Sequence, residues 1–61
     1  MQKVQRVRVA FLRVLRALRE HRARDLRVRH AVKALGDEAY KLAVENRLIV
    51  PRAVIAAHRL P

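Results

Sequence analysis

The side chains with the clearest chemical capacity in this sequence are arginines. Arg13, Arg16, Arg19, Arg22, Arg24, Arg27 and Arg29 fall within 17 residues, and Arg6, Arg8 and Lys33 extend the run on both sides. A guanidinium is a planar fork of N–H donors that grips two phosphate oxygens at once and stays charged at any physiological pH. Several in series neutralise a polyanion and release its counterions, an attraction that depends on charge and not on base sequence. Covalent chemistry has far less to work with. The chain contains no serine, threonine or cysteine, so the usual nucleophiles are missing, and its single glycine, Gly36, cannot build a phosphate loop. The sequence therefore predicts no enzymatic activity and no cofactor.

The remaining titratable groups point the same way. His21, His30 and His58 match no ligand spacing and have no cysteine beside them, so no metal is expected and the histidines read as solvated. Glu20, Asp25, Glu38 and Glu45 read as caps, dipole partners or ion-pair mates, as Lys41 with Glu45 one turn on. Tyr40 reads as a half-buried packing residue.

Charge is distributed unevenly. Residues 1–36 carry eleven Lys or Arg against Glu20 and Asp25, a net of +9; residues 37–61 carry four against three acids, a net of +1. Abundant Arg without Ser or Thr suits a high-GC or heat-adapted, thermophile source. Heat-tolerant ion-pair networks need acids in similar number, however, and only five are present. The excess repels itself unless something outside the chain neutralises it.

These residues must be positioned by helices. No Gly or Pro precedes Gly36, and the earlier residues are mostly good helix formers. Val4, Val7, Phe11, Val14 and Leu18 alternate in threes and fours, with Leu15 beside them, which draws one apolar stripe. Arg6, Arg13, Arg16 and Glu20 lie opposite, flanked by Arg8 and Arg19, while Val9 points to the polar side. The count continues through His21, Asp25, Val28, Val32 and Leu35, with the two polar slots adjacent. A turn within Arg19 to Asp25, with Asp25 capping a second helix, is expected in preference to one helix over 4–35. Gly36 followed by Asp37 predicts another boundary: glycine ends a helix in the left-handed region and aspartate caps the next. A helix from Glu38 to about Asn46 should follow, with Asn46 as its left-handed terminator. Leu48, Ile49 and Val50 then form an extended link, and Pro51 opens a last helix carrying Val54, Ile55 and Ala57. The alternation Arg6, Val7, Arg8, Val9 would instead give a short N-terminal strand, as in a ribbon-helix-helix dimer, but the helical stripe accounts for more residues.

The fold expected is a single all-α domain over residues 1–61: a small compact bundle of three or four short helices, with a basic half over 1–36 and a near-neutral packing half over 37–61. A chain this short buries only about 60% of its unfolded surface, and it has no disulfide. Its core should need idealised packing, self-association or a partner. No targeting segment and no apolar run of about 20 residues is visible, so a soluble, cytoplasmic protein is expected, with no membrane partner.

The functional expectation is a basic nucleic-acid-binding protein, a structural component of a ribonucleoprotein such as a ribosome. Its contacts to the phosphate backbone of folded RNA would come from Arg6, Arg13, Arg16, Arg19, Arg22, Arg24, Arg27, Arg29 and Lys33. The C-terminal half would meet a protein neighbour or a second copy. Single-strand recognition relies on stacking aromatics, and only Phe11 and Tyr40 are present. Two other readings share these residues. One is a dimeric DNA-binding protein of helix-turn-helix or winged-helix type, with the motif over Leu26 to Arg47 and Gly36 in its turn; against it, the recognition helix would carry Asp37, Glu38 and Glu45. The other is a helical assembly protein pairing through the Val4 to Leu35 heptad stripe.

Overall fold

The computed structural model describes residues 2–20 and 26–61. They form α1 (Gln2–Glu20), α2 (Leu26–Glu45) and α3 (Arg52–His58). The chain is all-α, with no strand among the described residues, and the Arg6 to Val9 alternation lies inside α1. Helical spacing won there: Val7 is 1% exposed, whereas Val9, which a strand would turn to the same face, is 46% exposed.

The described part of residues 4–35 lies in two helices, α1 to Glu20 and α2 from Leu26. The two run antiparallel, since Arg6 near the start of α1 borders Leu42 and Glu45 near the end of α2. The expected turn and the Asp25 cap fall on residues outside those described. Val14, Ala17, Val32, Ala39, Val54 and Ala57 form the buried centre, with Phe11, Leu18, Val28, Leu35 and Tyr40 packed against it. Most of the apolar stripe is thus taken up by the chain's own core. Its edges differ from the sequence reading: Val4 and Leu15 are 44% and 42% exposed, while Ala17 is buried. The buried face of α1 is rotated away from Leu15 toward Ala17.

The boundary expected at Gly36 and Asp37 is absent, because α2 runs straight through both. Gly36 has no left-handed backbone. Its reason is a close approach: a Cβ built there would sit 2.6 Å from the Ala57 Cβ and 2.7 Å from the His58 backbone nitrogen. Only a residue without a side chain lets α3 lie this near the axis of α2. Ala39 and Ala57, both fully buried, belong to the same buried centre, and Ala43 on α2 is fully buried too. A mid-helix glycine costs about 1 kcal/mol relative to alanine, a cost the packing of α3 offsets.

The end of α2 also departs from expectation by one residue. The left-handed position belongs to Arg47 (φ 55°), not Asn46. The Leu48 N–H donates to the Ala43 carbonyl at 2.8 Å and the Arg47 N–H to that of Val44 at 3.1 Å, the paired bonds of a Schellman ending. Asn46 contributes through its side chain, whose Nδ2 donates to the Leu42 carbonyl at 2.7 Å. Pro51 is the N-cap of α3 and not its first residue, with φ −61° and ψ 151°. The link between α2 and α3 leaves Ile49 93% exposed, and Val50 packs on the core.

Candidate nucleic-acid interface

The single helix α1 sets the outward chemistry. Its sequence carries no acid before Glu20, and Arg6, Arg8, Arg13, Arg16 and Arg19 are all exposed along it. None of the five is ion-paired with a carboxylate among the described residues. At 1.5 Å rise per residue, the row from Arg6 to Arg19 covers about 20 Å. Burying Val7, Val14 and Ala17 fixes which way the helix faces, so the core itself turns the guanidinia toward solvent.

Arg6 and Arg13 border an open groove of about 650 Å³ between α1 and α2, with Val9, Ala10, Leu35 and Leu42 also lining it and Glu38 contributed by α2. A carboxylate on that wall disfavours a phosphate deep in the groove, so these two arginines are suited to contacts made outward.

The other expected contacts are placed differently. Arg22 and Arg24 lie outside the described residues. Arg27 is exposed and Arg29 half-buried, and each already makes an interaction within the chain. Lys33 is half-buried and committed: its Nζ donates to the His58 carbonyl at 2.8 Å and pairs with Asp37 at 3.4 Å. The structure therefore gathers Arg6, Arg13, Arg16 and Arg19 on one helix and adds Arg8, whose signal in the sequence was its position flanking the polar face.

Lys33 belongs to a second cluster, at the contact between α2 and α3. The His58 Nδ1 lies 2.6 Å from the Asp37 Oδ1, and the His58 ring stacks on Tyr40 with centroids 4.3 Å apart and planes 16° from parallel. The hydrogen bond to His58 holds the Asp37 carboxyl below its usual range, against a partial opposing effect of burial and with help from Lys33. An Asp–His pair can orient a general base, but this chain has no serine, threonine or cysteine for such a base to activate. What the pair does here is tie α3 to α2. Asp37 is accordingly an ion-pair partner within a helix and not the cap expected, and His58 is engaged and not merely solvated. Tyr40 is half-buried and Lys41 lies 3.9 Å from Glu45, both as the sequence indicated.

The helix-turn-helix outline over Leu26 to Arg47 is not formed, since its turn residue Gly36 is inside α2. The exposed surface of α2 presents Arg27 and His30 near its start and Glu38, Lys41 and Glu45 toward its end, a mixture of both signs. Among the described residues, no group of three or more His, Asp or Glu could hold a metal ion, and no helix is long and apolar enough to cross a membrane. No family model, curated protein or solved structure matches the chain.

Proposed function

We propose that the chain is a non-enzymatic, cytoplasmic RNA-binding protein, a small structural component of a ribonucleoprotein that grips the phosphate backbone of folded RNA. The observation that carries this reading is the row of exposed α1 arginines with no carboxylate partner among the described residues. Holding such charges close together is unfavourable in isolation and favourable against a polyanion. Arg6, Arg13, Arg16 and Arg19 supply the contacts, and their distribution around the outer side of one helix fits phosphates approaching from more than one strand. Folded RNA is favoured over a DNA operator because the exposed face of α2 mixes acids with its bases and Gly36 does not form the turn of a helix-turn-helix over Leu26 to Arg47. Exposed stacking aromatics are lacking as well: Phe11 and Tyr40 both pack on the core.

The test is affinity for a folded RNA, a DNA duplex and an unstructured single strand, measured across a range of salt. The structured RNA should bind best. With one phosphate contact from each of these four arginines its affinity should fall by about a hundredfold between 50 and 200 mM salt. A flat salt response would refute the electrostatic reading, and tight binding to one DNA sequence alone would favour a regulator.

A further inference from the structure

The outer surface of α1 is not only basic. Leu12 is 63% exposed and Leu15 42%, with Arg8 and Arg19 exposed on either side of them. The spacing from Arg8 to Leu12, Leu15 and Arg19 is four, three and four, which sets these residues along one line of a helix, the seam a second helix would use. Phosphate binding does not require leucines there, and the core does not bury them. We propose that this seam docks an amphipathic acidic helix of a partner protein, its apolar residues on Leu12 and Leu15 and a carboxylate against each terminal arginine.

The charge order selects the occupant. A second copy docked parallel would set Arg8 against Arg8 and Arg19 against Arg19. Docked antiparallel, it would set Arg8 against Arg19 at both ends. Either way like charges meet, so the seam disfavours self-pairing. A carboxylate at each end satisfies both arginines. A lipid surface fits less well, because the two leucines sit between guanidinia instead of forming a broad apolar face. Arg6 and Arg13 lie away from this line, which leaves them to the RNA; Arg16, one turn on from Leu12, and Arg19 stand at the border of the two surfaces.

The probe is a synthetic helical peptide of about 20 residues, long enough to hold a helix, carrying Glu, Leu, Leu and Glu at the same spacing. Fluorescence anisotropy with the intact protein should show it binding about tenfold more tightly than a version with Gln for Glu, the combined effect of two exposed ion pairs. Leu12→Gln with Leu15→Gln should weaken the Glu peptide at least about tenfold while leaving RNA affinity unchanged. That separation also distinguishes a failure here from a failure of the RNA reading. Should the leucine pair disturb folding, Arg8→Glu with Arg19→Glu supplies a second test, since it should reverse the preference in favour of a Lys peptide. Equal binding of the Glu and Gln peptides would overturn the proposal. So would leucine variants that lose RNA, phosphatidylserine vesicles or self-association in place of the peptide.

Discussion

The outer face of α1 and the contact between α2 and α3 use charge in opposite ways. On α1 five guanidinia stand exposed without an acidic partner among the described residues. Between α2 and α3, Lys33, Asp37 and His58 are bonded to one another, and the ring of His58 is stacked on Tyr40. Where a charged residue finds a partner inside the chain, its role is to hold helices together. Where no acidic partner lies among the described residues, the charge stands open to solvent and, on the proposed function, to a polyanion. Stability should therefore respond to the second region and polyanion affinity to the first, and substitutions can break or sharpen that division.

The largest effect on stability should come from Gly36. Gly36→Leu puts a branched side chain where even a Cβ meets the backbone of α3. It should cost about 3 kcal/mol or more, seen as loss of cooperative thermal unfolding. Gly36→Ala should also destabilise, although alanine is the better helix former by about 1 kcal/mol. A stabilised Gly36→Ala would mean that α3 does not pack this closely.

Next comes the core that orients α1. Val14→Ala removes two methyl groups from a fully buried site and should cost roughly 2 kcal/mol in chemical denaturation. Arg16→Ala, on the exposed face of the same helix, should stay within about half a kcal/mol. Equal costs would place the buried face of α1 wrongly.

A smaller effect should follow from the Asp37 pairing, and it carries a pH signature. Because the carboxyl is held below its ordinary value, its contribution is fully present above about pH 4 and is lost as pH falls through the lowered folded value. Asp37→Asn should lower the melting temperature at neutral pH and flatten this acid limb. An unchanged acid limb in thermal melts would show that the tie to His58 is energetically idle.

How far the sequence revealed this division depended on the range of the interactions involved. The buried stripe of α1 was legible because threes and fours in Val7, Phe11 and Val14 are a local record of helical geometry. Val9 was likewise legible as exposed, at 46%. Gly36 was misread as punctuation, since its purpose is a contact with Ala57, 21 residues away, which local pattern cannot show. Gly36, Ala39 and Ala43 do share one side of a helix, and that run of small residues was the available signal for close helix packing. Asp37 and His58 were obscured by the same distance. Lys33 counts as one more basic residue in sequence, and only the position of α3 shows that it is engaged. Of the candidate interface, the charge of α1 was legible; which cations have no acidic partner among the described residues was decided by tertiary packing.

The most direct test of that distinction is the salt dependence of folded-RNA affinity for three proteins: wild type, the variant with Arg6, Arg13, Arg16 and Arg19 all changed to Gln, and Lys33→Gln. The slope of log affinity against log salt should shrink by about 4 in the arginine variant, near one unit per lost phosphate contact, while its melting temperature holds. Lys33→Gln should leave the slope within about half a unit of wild type and lower the melting temperature instead. Equal slope changes in the two variants, or an arginine variant that binds like wild type at every salt concentration, would contradict the assignment of α1 as the polyanion-binding face.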